Sequence, residues 1–212
     1  MVLDKKVAEQ TINYLTQINA IKLNTKNPFT WTSGIKSPIY CDNRLILSYP
    51  NIRKFVADKM SDIVKNIYGE DISIAGVATG AIAIGAMIAE RLNLPYAYVR
   101  PEPKGHGLKN QIEGSIQEGT NVVVIEDLIS TGKSSLNAIN ALKSEGYNVM
   151  GMLSIFSYNF HFANKKFKDE NISINSLSDY NSLVDLIQSE GTLDSNEISR
   201  LKKWREDPKT WS

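Results

Sequence analysis

Apolar side chains at Val7, Ile12, Leu15 and Ile18 recur at helical spacing and predict an amphipathic helix near the start of the chain. Residues 22 to 44 read differently. Turn signals at Asn27-Pro28, Ser33-Gly34 and Ser37-Pro38 surround two short β-like pieces, Phe29-Thr30-Trp31 and Ile39-Tyr40-Cys41. Pro50 then opens a second helix, whose apolar stripe is Ile52, Phe55, Val56, Met60, Ile63 and Ile67. The middle of the chain alternates. Ile72 to Val77 is a short apolar run, Thr79-Gly80 a turn, Ala81 to Leu92 a helix apolar on all sides, and Tyr96 to Val99 a strand. Val122-Val123-Val124-Ile125 is the strongest strand, β-branched and apolar throughout, as a buried parallel strand requires. Leu136, Ile139 and Leu142 mark another helix, stopped by Gly146, and Val149 to Phe156 returns as a strand. This alternation predicts an open α/β fold, a parallel sheet with helices on both faces.

Two segments fall outside the pattern. Arg100 to Gly119 is rich in Gly, Pro, Lys and polar residues and shows no apolar period, which predicts a long structureless loop, either functional or disordered. Residues 164 to 212 are polar with two weak helical patterns and are expected to cap one end of the domain. Trp204 and Trp211 read as packing anchors there, at a subunit contact.

Composition narrows the class without naming a chemistry. The 212 residues, 42% hydrophobic and 22% charged, suit one ordinary globular domain and exclude a disordered, collagenous or coiled-coil chain. Lys+Arg 24 against Asp+Glu 23 leaves +1, so no global basic field recruits nucleic acid or a membrane surface, and anion binding has to be local. The single cysteine, Cys41, fits a reducing compartment and reads as a packing residue. The opening MVLDKKVAEQ has no apolar signal-like stretch, and the run from Ala81 to Ala89 is too short to span a bilayer. The expectation is a soluble cytoplasmic protein.

The chemistry concentrates after the strongest strand. Val122–Ile125 is expected to end at two acids, Glu126 and Asp127, followed by Leu128, Ile129, Ser130, Thr131, Gly132, Lys133 and Ser134 leading into a helix. Ligands of open α/β sheets bind at the carboxyl ends of strands. The unpaired N–H groups of a helix start make residues 130 to 135 a phosphate cradle. The acids would repel that phosphate, yet suit sugar hydroxyls or Mg²⁺. A ribose 5-phosphate satisfies both halves. Thr131-Gly132-Lys133-Ser134 resembles the end of a Walker P-loop, but Asp127 stands where that motif needs its first glycine. From Arg100 to Ile112, Arg100, Lys104 and Lys109 outnumber Glu102, which makes a local anion clamp with His106 between glycines. Nothing in the sequence converges on His161.

Val122 to Ser134 resembles the phosphoribosyl pyrophosphate (PRPP) signature of type I phosphoribosyltransferases. Thr32-Ser33-Gly34-Ile35-Lys36-Ser37-Pro38-Ile39-Tyr40-Cys41-Asp42-Asn43-Arg44 is similar to the N-terminal motif of the orotate-specific branch. Arg100, Pro103-Lys104-Gly105-His106-Gly107 and Asn110-Gln111-Ile112-Glu113-Gly114 resemble its catalytic loop, in the form typical of Gram-positive bacteria. The resemblance implies one phosphoribosyltransferase domain over 1–212, with a core of about 46–160 and a hood from about 1–45 and part of the C-terminal region. It implies Asp127 and Glu126 at the ribose hydroxyls, and Ser130 to Ser134 at the 5-phosphate, with Leu128 and Ile129 in the same PRPP stretch. Arg100, Lys104 and His106 would meet the pyrophosphate, with Ala78 and Thr79 in a second pyrophosphate loop. Lys36, Tyr40, Cys41, Ser130 and Tyr158 fall at the orotate side, Tyr158 standing where enteric relatives carry an arginine. Thr32 and Pro101 replace lysines of those relatives. The resemblance further implies Mg²⁺ carried with PRPP, and a homodimer whose catalytic loop reaches the neighbouring site. A transferase for another base, or a PRPP-sensing transcription regulator, is the alternative; the regulator would need a helix-turn-helix or a basic face.

Overall fold

The computed structural model describes residues 1–31, 34–103 and 110–211. The chain opens with helix α1 (Lys5–Gln17), begun by Asp4, whose carboxylate accepts hydrogen bonds from the N–H groups of Lys6 and Val7. A cap of this kind stabilises a helix by about 1 kcal/mol. Four short strands follow, β1 (Ile21–Leu23), β2 (Phe29–Thr30), β3 (Lys36–Ser37) and β4 (Ile39–Cys41). They form two antiparallel pairs, β1 with β4 and β2 with β3. A 3₁₀ turn (Asn43–Ser48) leads into α2 (Pro50–Tyr68), with Pro50 in its first turn as read from the sequence.

The central layer has six strands in the order β10-β9-β8-β5-β6-β7. They are β5 (Ser73–Val77), β6 (Tyr96–Val99), β7 (Ile112–Glu113), β8 (Asn121–Ile129), β9 (Asn148–Ser157) and β10 (Ile174–Asp179). All neighbours run parallel except β7, which is antiparallel to β6. Between them run α3 (Ile82–Leu92), α4 (Lys133–Ser144) and α5 (His161–Asp169), and after β10 come α6 (Tyr180–Glu190) and α7 (Ser195–Glu206). The apolar run of β8 is divided by the two-residue period of a strand. Val122 and Val124 pack with Ile139 and Leu142 of α4, while Val123 and Ile125 pack with residues of α1, α2 and α3. The open α/β architecture expected from the alternation is present. No helix among the described residues is long and apolar enough to cross a membrane.

Three sequence expectations need correction. The strand at Val122 does not end at the acids: β8 continues through Glu126 and Asp127 to Ile129, with Glu126, Leu128 and Ile129 in register with Ser154, Phe156 and Ser157 of β9. The segment 100 to 119 is not free of regular structure, because Ile112–Glu113 forms β7, and Arg100 N–H donates to the Gln111 carbonyl. The polar C-terminal part supplies an edge strand of the main sheet, Ile174–Asp179, as well as helices. Its serines hid it from a hydrophobic pattern. Ser176 and Ser154 share a hydroxyl hydrogen bond at 2.7 Å and Ser178 donates to the Ile155 carbonyl, so they are buried at low cost.

Candidate active site

The sheet leaves a crevice where its strand order reverses. From β5 the chain proceeds outward to β6 on one side, and from β8 to β9 and β10 on the other, so the β5/β8 boundary is the topological switch point. There β5 pairs with β8 only as far as Gly76 opposite Ile125 and ends at Val77, whereas β8 runs on. Both acids therefore project past the end of their neighbour.

Strand alternation starts the two acidic side chains on opposite faces of β8. Glu126 lies on the α4 side, 3% exposed, accepting from Ser135 Oγ at 2.9 Å and from the Asp127 N–H at 3.1 Å. Burial, with the negative charge of Asp127 beside it, pushes the Glu126 carboxyl well above the usual carboxylate range. Asp127 is half-buried on the opposite side, against the loop after β5. Asn43 anchors its backbone from the N-terminal segment, donating through Nδ2 to the Asp127 carbonyl at 2.7 Å.

Glu126 binds its proton more tightly in the folded chain than in the unfolded one. Its contribution to stability is complete below its unfolded value of about 4.3 and disappears as pH rises through the raised native value. Glu126→Gln should remove this dependence, so the variant gains stability relative to the parent between pH 5 and pH 8. Urea midpoints at the two pH values test it; a difference that does not change with pH contradicts the assignment.

Gly80 controls where Asp127 points. A methyl group built on Gly80 would overlap the Asp127 carboxylate. Because the obstructed atoms are the end of a movable side chain, Gly80→Ala should leave the melting temperature nearly unchanged and rotate the carboxylate instead. The expected result is a rise of about tenfold in the KM of a ligand that hydrogen-bonds this carboxylate, the worth of one such bond. Equal KM values for variant and parent would show that the carboxylate orientation is immaterial.

Beyond β8 the chain turns at Gly132, whose φ of +75° lies in the left-handed region and whose Cβ position lies 2.9 Å from the Phe167 ring. Glycine is needed on both counts. Helix α4 begins immediately after it with no side-chain cap, which leaves the first-turn N–H groups to a ligand or to water. A cavity of about 800 Å³ brings together Ala78, Arg100, Thr131, Lys133 and Ser134, five positions picked from separate stretches of sequence. The Ala78–Thr79 peptide is cis.

Other site residues stand differently from their expected roles. Arg100 is not a free cation; its Nη1 lies 3.4 Å from Glu113 Oε1 across β6 and β7. The Ile129 side chain is in the core, and Leu128 is partly buried against the core on the other face of the sheet. Tyr158, expected at the base, is 1% exposed and stacks on Phe160 at 5.6 Å, enclosed by Trp31, Phe156, Tyr180 and Trp204. Burial pushes its phenol well up. In the N-terminal strand pairs, Lys36 is exposed with Nζ donating to Thr30 Oγ1 at 2.9 Å, and Tyr40 is exposed. Cys41 is buried, its thiol donating to Asn43 Oδ1 at 3.2 Å, with burial holding its pKa well above the usual thiol value. That suits a packing residue. Lys104, His106 and Thr32 lie outside the described residues.

The sequence did not pair Ser135 with Glu126, Gly80 with Asp127 or Arg100 with Glu113. Ser135 is nine residues from Glu126 and Gly80 is 47 from Asp127, and no linear spacing marks either contact. Asn43 lay inside the quoted N-terminal motif, which was the one available signal.

Comparison with known proteins follows the same lines. The phosphoribosyl transferase domain family matches residues 44–180. The chain is 49% identical over 209 residues to the orotate phosphoribosyltransferase of Phocaeicola vulgatus, covering 99% of this chain and 97% of that one. It is 45% identical to that of Streptococcus pneumoniae serotype 19F, covering 97% and 98%. Among solved structures, the orotate phosphoribosyltransferase of Aeropyrum pernix superposes with a TM-score of 0.71 at 29% identity, covering 86% of this chain and 99% of that one. The UMP synthase of Leishmania donovani superposes with a TM-score of 0.77 at 27% identity over 95% of this chain, which spans 42% of that longer protein. The sheet with its β5/β8 crevice, the uncapped start of α4 and near-full-length identity of this order together mean that the chain belongs to the phosphoribosyltransferase family, in its orotate phosphoribosyltransferase branch.

Proposed function

We propose that the chain transfers the 5-phosphoribosyl group of PRPP to orotate, giving orotidine 5'-phosphate and pyrophosphate, a step of pyrimidine nucleotide synthesis. The observation that carries this reading is the β5/β8 crevice, where one strand–loop–helix unit offers a carboxylate for a diol and a helix start for a phosphate. The bond from ribose C1 to the pyrophosphate oxygen breaks, the bond from C1 to orotate N1 forms, and the N1 proton is released. Charge builds on the leaving pyrophosphate and on the ribosyl carbon, so the chain's task is to fix the sugar and neutralise the leaving group.

Asp127 would accept from the ribose hydroxyls. Glu126, buried and tied to Ser135, would support it from beneath. Ser130 to Ser134 would hold the 5-phosphate, and Ala78, Thr79, Arg100, Lys104 and His106 the pyrophosphate. Lys36, Tyr40, Cys41 and Ser130 would frame the base. Among the described residues no three His, Cys, Asp or Glu side chains cluster as a metal cage. This donor set suits Mg²⁺ held chiefly by the substrate's phosphate oxygens, with Asp127 as the protein carboxylate nearest to hand. Bound there, Mg²⁺ supplies charge neutralisation on the pyrophosphate. The whole chain is read as one catalytic unit that works as a cytoplasmic homodimer. Against a regulator stands the N-terminus: α1 is followed by strand β1, with no helix-turn-helix pair among the described residues there.

Loss of orotate absorbance on mixing protein, PRPP and Mg²⁺, with uracil and hypoxanthine as controls, tests the reading. Consumption that needs all three components supports it. Turnover of another base overturns the orotate assignment, and silence with every base overturns the transferase.

A further inference from the structure

The mechanism so far leaves the C-terminal helix idle, yet α7 is tied to the hood across most of the sequence. Trp204, in its last turn, is fully buried, and its indole Nε1 donates to the backbone carbonyl of Lys36 in β3 at 2.9 Å. A second tie runs from Thr25 Oγ1 to Glu197 Oε1 at 2.8 Å. The helix that makes both ties is itself fixed. Glu197 and Asp194 form a reciprocal capping box at its start, and the Tyr180 hydroxyl donates to the Leu201 carbonyl at 3.1 Å. The Trp204 ring cannot easily tilt, because Trp31, Tyr158, Phe160 and Tyr180 surround it with ring centres 5.3 to 5.7 Å away.

The strand segment that receives this bond is short and stiff. β3 and β4 flank a turn in which Ser37 Oγ donates to the Ile39 carbonyl at 2.7 Å, and Trp31 Nε1 donates to that same carbonyl at 3.2 Å. From β4 the contacts continue through the Cys41 thiol to Asn43, and from Asn43 to the Asp127 carbonyl. A shift of β3 is therefore a shift of the surface that carries Lys36, Tyr40 and Cys41. The other end of that surface stays pinned to β8.

We infer that Trp204 is a positioning residue for base recognition: its indole N–H holds strand β3 at a fixed height and so sets Lys36, Tyr40 and Cys41 relative to Asp127. The inference rests on the orotate reading of the hood. It places a specificity determinant 168 residues away from the strand it controls, on a helix separate from β8 and α4. The acid pair and the phosphate loop lie on β8 and α4, which Trp204 does not hold, so its effect should fall on one substrate and not the other.

Trp204→Phe keeps an aromatic ring in the box and deletes the donor, leaving the Lys36 carbonyl unpartnered. The KM for orotate should rise roughly 2- to 10-fold, the worth of one hydrogen bond, while the KM for PRPP stays within about twofold. Hydrogen exchange without substrates should quicken at the amides of residues 36 to 41 and not at those of 121 to 129. Thr25→Val, which cuts the second tie without touching the aromatic box, should raise the orotate KM in the same direction and keeps the test open if Trp204→Phe fails to fold. Equal rises in both KM values would mean general loosening and would overturn the proposal, as would no change in either. A parent protein inactive with orotate would fell the substrate reading and the proposal with it; an active parent with equal shifts would fell the proposal alone.

Discussion

Asp127→Asn is expected to lower kcat/KM for PRPP by on the order of 10²-fold, while the fold and orotate binding persist. A carboxylate accepting from two adjacent hydroxyls makes charge-assisted hydrogen bonds worth about 1.5–3 kcal/mol each. The amide keeps the shape, loses the charge, and turns one acceptor into a donor facing a donor. Asn43 grips the backbone carbonyl of Asp127 and not its side chain, so β8 and the hood stay joined in the variant. The substitution carries a second signature. The charge of Asp127 is one reason the Glu126 carboxyl titrates high, second to burial, so removing it should bring Glu126 part of the way down. The loss of stability with rising pH should then level off at a lower pH, and be smaller, than in the parent. Steady-state kinetics with PRPP varied, together with urea midpoints across pH, test both. Parent-like PRPP kinetics would remove Asp127 from the diol.

Lys104→Ala should reduce kcat by about 10²-fold or more and leave the KM for PRPP little changed, since a donor aimed at charge that develops only in the transition state acts on turnover. The reasoning is electrostatic. The chain carries a net +1, and its cations outnumber its acids locally between Arg100 and Ile112. Arg100 is engaged with Glu113, so it is not available undiluted for the leaving group, which places more of the burden on Lys104. Single-turnover measurements in both directions should show the same loss, because the same transition state is crossed. An unchanged kcat would exclude the role. The shared-loop proposal adds a mixing test. If the loop serves the neighbouring site, equal amounts of the Lys104→Ala and Asp127→Asn proteins, unfolded together and refolded, should recover about a quarter of parental activity, because half the dimers would carry one intact site. No recovery would confine the loop to its own subunit.

Much of the fold was legible because periodicity and punctuation agreed. Pro50 opens α2, the β-branched run of Val122–Ile125 lies at the centre of the sheet, and the helix marked by Leu136, Ile139 and Leu142 buries the last two and half-buries Leu136. Ile174–Asp179 escaped because a buried strand built on Ser176 and Ser178 looks like a loop until the hydroxyl partners on β9 are in place. β7 escaped because two residues carry no period, and pairing with β6 alone defines them. Tyr158 was assigned to the base from its position in the chain. The aromatic residues around it, drawn from the hood, β9, α6 and α7, enclose it instead.

For the site the division is similar. The sequence alone determined the family of chemistry, because adjacent acids followed by small residues, a glycine and a helix start are a local arrangement, complete within thirteen residues from Val122 to Ser134. It also determined that anion binding is local and not global, since charge counts need no coordinates. The tertiary structure decided which acid faces the crevice and which is buried with its carboxyl held well above the usual range. That depends on where β5 stops beside β8, and on Gly80 and Ser135 arriving from other elements. It decided as well that the C-terminal helix bears on the hood, through a hydrogen bond between residues 168 positions apart. Contacts of that separation are set by how the strands are ordered in the sheet, and neighbouring residues in the sequence carry no trace of them.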